Sequence, residues 1–190
     1  MLKNGMKNST FIYLSIGFFT CGFHMVLITN HLPTEFATYG FSPEVIAYAF
    51  SIYGVATIIG SIIIGGLCSK YNKRNILACL YGSRPLMVLF FLLMPKTLLT
   101  LCVFIILLGF TGSSTVPPVT GLLGDAFGVK RLGMLFGLVF LVHQIGGFLG
   151  AWIGGTYFDM TGNYTLIWIT AVILSVVASF VTLKIKNIEN

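Results

Sequence analysis

An all-α membrane protein, a bundle of six transmembrane helices, is the fold class this sequence predicts, and three observations predict it. Six apolar runs fill the 190 residues, roughly Phe11–His31, Pro43–Cys68, Asn75–Met94, Leu98–Thr120, Leu132–Tyr157 and Tyr164–Leu183. Each is close to or above the ~20 residues that a helix rising 1.5 Å per residue needs to cross ~30 Å of hydrocarbon. The chain is 56% hydrophobic and 8% charged, against about 25% charged residues in soluble domains. Finally, the basic residues alternate: Lys3, Lys7, Lys70, Lys73, Arg74, Lys130, Arg131, Lys184 and Lys186 all fall in gaps on one side. The other gaps hold Lys96 with Glu35, Glu44 and Asp159. This asymmetry predicts a multi-pass protein of the cell membrane with both termini cytoplasmic.

The same pattern bounds the organisation. Residues 1–10 read as a cytoplasmic segment, 11–183 as the bundle and 184–190 as a cytoplasmic tail, with no gap long enough for a soluble domain to bury a core. The net charge of +6 is explained by short basic turns, so no nucleic-acid partner is implied. Cys21, Cys68, Cys79 and Cys102 lie in or at the ends of the runs and read as free thiols that pack as small apolar groups. No metal-ligand set and no cofactor motif is present, and without a phosphate-binding Gly-rich loop the chain would draw on solute gradients rather than ATP.

Taken in order, the first run is too long for a cleaved leader and lacks a small-residue cleavage site, so it reads as a retained anchor. Within it Cys21, His24 and His31 are spaced to share one face. The second opens on Ser42-Pro43-Glu44, an N-cap, a first-turn proline and an acid at the positive end of the helix dipole. It carries Tyr53, Thr57 and Ser61 at four-residue spacing. The third holds Arg84 near its middle, where an arginine costs about 2.5–3.5 kcal/mol unless it faces protein or water. That guanidinium either binds an anionic group or anchors neighbouring carbonyls. The fourth gathers Gly109, Thr111, Gly112, Ser113, Ser114, Thr115, Pro117 and Pro118, predicting a kink or stop near Val116. The fifth carries His143 and Gln144, then Gly146, Gly150 and Gly154, a small-residue ladder on one face that predicts close helix packing. The sixth is a plain apolar span.

Between the second and third runs stands Gly65-Gly66-Leu67-Cys68-Ser69-Lys70-Tyr71-Asn72-Lys73-Arg74. It resembles the loop signature G-x-L-x-D-R-x-G-R-R of the major facilitator superfamily, keeping Gly65, Leu67, Lys70, Lys73 and Arg74. It departs at Ser69, where the family has Asp, and at Asn72, where it has Gly. Such a degenerate signature resembles that of the C-terminal half of these transporters. The stretches Phe127–Gly137, His143–Trp152 and Asp159–Tyr164 are similar to the monocarboxylate-porter-like and oxalate/formate-antiporter-like branches. Those branches commonly place a cation in the helices matching the second and fifth runs, whose interiors here hold no Lys or Arg. The resemblance implies two inverted three-helix repeats, with the first and fourth runs lining the pathway. It also implies a second six-helix half, either another copy, a separately encoded chain or a portion missing from the reading frame. A truncated or incomplete reading frame is the first-ranked expectation, with Met6 as an alternative start.

The resulting expectation is gradient-driven or facilitative transport of a small solute across the lipid bilayer, not an enzyme. Pathway candidates are His24, Tyr53, Thr57, Arg84, Thr111, Ser114, Thr115, His143 and Gln144, and a neutral imidazole at His24 or His143 could carry a coupled proton. With no Asp or Glu in the interior of any run, Glu44 and Asp159 standing at the ends, the solute is expected to be anionic or neutral. Asp125, read as lying in the gap after the fourth run, is a candidate cytoplasmic latch with Lys130, Arg131 or the Lys70–Arg74 loop. The rival reading is a non-transporting assembly or stabilising subunit that docks another complex through the glycine face of the fifth run.

Overall fold

The computed structural model describes residues 8–186, and among these every regular element is helical. Lys3, Lys7, Met6 and the last four residues of the expected tail lie outside the described residues. α1 (Ser9–Val26), a π turn (Leu27–His31) and α2 (Leu32–Thr38) join into one apolar rod, followed by α3 (Pro43–Cys68) and α4 (Lys73–Leu93). α5 (Leu98–Gly112), a 3-10 turn (Ser113–Thr115) and α6 (Val116–Phe127) form a second composite rod, and α7 (Val129–Thr161) and α8 (Thr165–Leu183) complete the set. All six rods are long and apolar enough to cross a membrane.

Short polar side chains set the starts. Asn8 Oδ1 accepts from Thr10 N at 2.8 Å, and Thr97 Oγ1 from Thr100 N at 3.3 Å. Ser42 caps α3, with Pro43 in its first turn. Asn72 Oδ1 accepts from the amides of Arg74 and Asn75 at the start of α4, which gives a physical reason for Asn at a position where the family motif has Gly. Gly128 alone connects α6 to α7 at φ +79°, a left-handed conformation in which any Cβ would be strained.

Two rods run past their apolar runs. The first continues beyond His31 because the π turn absorbs an extra residue and Pro33 sits in the opening turn of α2, where its missing N–H leaves no bond unmade. Glu35 therefore lies inside the rod and is only 5% exposed. This corrects the expectation that no acid lies within a span. The fourth rod breaks at Ser113–Thr115 and resumes as α6 to Phe127, so Asp125 sits in a last helical turn rather than in a loop.

The packing obeys an inverted repeat. The most extensive contacts join the first rod to the fifth, the third to the sixth and the second to the fourth. Exchanging the first three rods with the last three turns the 1–5 pair into the 4–2 pair and leaves 3–6 unchanged, as two inverted triplets require. Small residues mediate both equivalent contacts. A Cβ on Gly146 would strike the Phe19 carbonyl, one on Gly150 would lie 3.0 Å from Phe23 O, and one on Gly154 2.6 Å from His31 Nε2. In the mirrored pair, a Cβ on Gly60 would strike the Phe110 carbonyl and one on Gly109 would lie 2.7 Å from Tyr53 O. An aromatic core closes the end near α2, where Phe91 stacks on Phe104 at 4.2 Å and Trp168 meets both edge-on.

Candidate functional site

The break in the fourth rod originates in its prolines. Pro117 has no N–H to offer the Ser113 carbonyl, and the Val116 amide turns to that carbonyl instead. The tightened turn takes the Val116 amide away from the Gly112 carbonyl, which the Thr115 hydroxyl reaches at 3.4 Å, and leaves acceptor capacity inside a packed bundle where water cannot fill it. Arg84, in the middle of α4 and 2% exposed, fills the gap: Nη2 donates to Gly112 O at 3.0 Å and to Thr111 O at 3.1 Å. Cys21 Sγ lies 3.6 Å from the same nitrogen and 3.2 Å from Thr115 Oγ1, while Tyr81 lays its ring 5.3 Å from the guanidinium. Arg84 Nη1 and the Tyr81 hydroxyl are buried without hydrogen-bond partners among the described residues. Lys73–Asp125 is the only ion pair among the described residues, so Arg84 has carbonyl dipoles around it and no carboxylate.

The other predicted residues distribute as follows. Tyr53 OH donates to Met25 Sδ at 3.4 Å, bridging the second rod to the first, and Thr57 Oγ1 donates to Gly109 O at 3.2 Å in the contact between the second and fourth rods. Thr111 donates back to Leu107 O, and Ser114 to the Phe110 carbonyl, sealing the helix on either side of the break. Cys21, His24 and His31 do not share a face. Cys21 meets the third and fourth rods; His24 bonds Thr20 O at 3.0 Å and Ser175 Oγ at 3.1 Å on the sixth; His31 bonds Ala151 O at 3.2 Å on the fifth. Part of the reason is the π turn, whose extra residue rotates everything after Val26 relative to α1. His143 is half-buried, stacked on Phe140 and tilted against Phe18, with Nδ1 3.1 Å from Gln144 Oε1, and Gln144 is exposed.

Two clusters escaped sequence reasoning. Glu35 accepts from Trp168 Nε1 at 2.7 Å and from Tyr39 OH at 2.9 Å, and Lys96 bonds the Phe91 carbonyl while resting over the Phe91 and Tyr39 rings. Burial together with the Glu35 charge raises the Tyr39 phenol above its ordinary range, so it stays a donor; burial lowers Lys96, against the pull of Glu35. The hint was Pro33 two residues before Glu35, a helix start rather than a loop. Thr29 and Asn30, exposed on the π turn, form the second cluster; a π turn leaves no pattern in the sequence.

In the first turn of α4, Lys73 Nζ lies 2.7 Å from Asp125 Oδ2, and Arg74 Nη1 donates to Ile185 O at 3.2 Å. A Cβ on Gly65 would lie 4.0 Å from the Pro117 ring, and the amides of Lys70 and Tyr71 close on the Leu67 carbonyl. The Gly146, Gly150 and Gly154 face is occupied by the chain's own first rod, which removes it as a docking surface for another complex.

Six apolar rods in inverted triplets, with a polar break within one of them, define a multi-pass membrane bundle. The family profile of the Major Facilitator Superfamily matches residues 13–189, and the chain belongs to that superfamily. It is 31% identical over 170 residues to the MFS-type transporter YcxA of Bacillus subtilis strain 168, covering 86% of this chain and 41% of that one. It is 26% identical over 144 residues to monocarboxylate transporter 13 of Rattus norvegicus, covering 74% of this chain and 33% of the relative. Against monocarboxylate transporter 12 of Xenopus laevis the identity is 25% over 166 residues, 82% of this chain and 34% of the other. The chain thus spans about two fifths or less of the relatives it matches.

Proposed function

We propose that this chain is one half, matching the C-terminal six helices, of a secondary transporter that moves a small anionic or neutral organic solute by alternating access in the cell membrane, with its termini cytoplasmic. The observation that carries the reading is the broken fourth rod held by Arg84. A rod interrupted at mid-depth offers backbone polar groups where an apolar helix offers none, and a guanidinium without a carboxylate partner keeps the site electropositive. The names of the monocarboxylate transporter relatives agree with a carboxylate solute. Glu35 does not oppose this, because its oxygens are already taken by Trp168 and Tyr39.

In this reading the pathway face carries Thr57, His143 and Gln144, with Thr29 and Asn30 added, and the buried Tyr53, Thr111, Ser114 and Thr115 shape the break behind it. His143, half-exposed, is a better carrier of a coupled proton than His24, both of whose nitrogens are engaged. Arg84 acts through the carbonyls it holds and through its field. The Lys73–Asp125 pair serves as the cytoplasmic latch, tying the basic loop to the end of the fourth rod; about 29% and 28% exposed, it contributes at most about 1 kcal/mol. A second six-helix half, identical or separately encoded, faces the exposed polar groups.

Proteoliposomes carrying this chain together with such a half are expected to take up a small radiolabelled monocarboxylate saturably, and an organic cation of similar size not at all. Absence of saturable flux for any anionic or neutral solute would overturn the proposal in favour of a non-transporting subunit.

A further inference from the structure

At the end of the bundle that carries the basic loops lies a cleft of about 440 Å³, bounded by Thr10, Lys70, Tyr71, Lys73, Asp125 and Lys186. It shares no residue with the surroundings of Arg84. Three ammonium groups face one carboxylate, and that carboxylate is already paired with Lys73 at 2.7 Å. Lys70 and Lys186 have no acidic partner among the described residues. α1 and α4, of 18 and 21 residues, both begin at this cleft, so the positive ends of two helix dipoles add to the lysines. Thr10 is 7% exposed; it lines the cleft, and its hydroxyl makes no hydrogen bond among the described residues. The cleft therefore combines an excess of positive charge with a threonine in its wall whose hydroxyl is free to donate.

We propose that this cleft binds the phosphate group of an anionic ligand, presented either by an anionic phospholipid headgroup or by a free phosphate. Tetrahedral phosphate oxygens accept several bonds at once from lysine point charges and a hydroxyl, in the favourable field of two helix starts, and basic pockets between transmembrane helices take anionic headgroups for the same reason. Tyr71, 65% exposed at the rim, is the kind of side chain that sits at headgroup depth. The proposal stands independently of the solute and of the second half.

Native mass spectrometry of the detergent-purified chain tests it, with phosphatidylglycerol and phosphatidylcholine titrated in parallel. Phosphatidylglycerol is expected to bind in preference. Lys70→Gln with Lys186→Gln lowers its affinity about 25-fold, at about fivefold per lysine, whereas Lys130→Gln with Arg131→Gln, exposed at the same end, changes it less than about threefold. Thr10→Val, nearly isosteric, lowers it about fivefold by removing the hydroxyl. Retention of the lipid signal in excess inorganic phosphate assigns the lipid as source; a phosphate-dependent thermal shift that is lost in the Lys70/Lys186 variant assigns the free anion. Equal losses in the two double variants would show general surface attraction and overturn the site. So would the absence of both phosphatidylglycerol preference and any phosphate effect.

Discussion

Arg84 and Glu35 are the two buried charges of this bundle, and each is held by neutral groups rather than by an opposite charge. Arg84 Nη2 donates to two carbonyls at the break in the fourth rod; losing a charged donor to buried acceptors costs about 1.5–3 kcal/mol. Arg84→Ala is therefore expected to lower both the melting temperature in detergent and the uptake rate. Arg84→Lys, without a planar fork, should recover part of the stability. A melting temperature unchanged in Arg84→Ala would refute the clamp. Glu35 accepts from Trp168 and Tyr39, so Glu35→Leu strands a buried indole N–H at about 1–3 kcal/mol, while Glu35→Gln keeps an acceptor and loses less. Thermal unfolding followed by tryptophan fluorescence ranks wild type above Gln above Leu; Leu equal to wild type would contradict the account. Arg84 was legible as an oddity, because an arginine amid apolar residues announces itself. Glu35 was not, since its burial depends on a π turn and on a tryptophan 133 positions away.

Elements were more legible than contacts. Six runs of sufficient length, a Ser-Pro-Glu start and a Gly-Pro cluster all follow from local chemistry, and helices with matching starts and break are present. Rod ends were misjudged where a helix continues through polar residues, as in α2 and α6, because hydropathy marks where lipid contact ceases and not where hydrogen bonding does. The glycine ladder announced a tight contact but not its partner, which is the first rod. Its consequence is specific. Gly150→Leu must push the fifth rod off the Phe23 backbone, an overpacking cost of about 1–3 kcal/mol, whereas Gly137→Leu meets open space and should be neutral. Yield and melting temperature of the two variants, measured side by side, check this; equal losses would refute the assigned packing face.

For the whole molecule, the decisive relation is between the faces that the bundle leaves exposed. Leu86, 70% exposed on α4, and Phe180, 65% exposed on α8, are suited to lipid. Asn30 on the π turn and Gln144 on α7 are exposed as well, and amide groups at membrane depth demand water or protein. Neither distinction could be read from hydropathy alone, since all four residues occur within apolar runs. The account holds that the Asn30 and Gln144 faces border an aqueous pathway and the Leu86 and Phe180 faces border lipid. Single cysteines at these four positions, in a chain whose native Cys21, Cys68, Cys79 and Cys102 are replaced, are exposed in membrane vesicles to a water-soluble maleimide. Labelling of Asn30→Cys and Gln144→Cys with Leu86→Cys and Phe180→Cys unlabelled is the predicted result; the reverse pattern, or four equally inert positions, would contradict it.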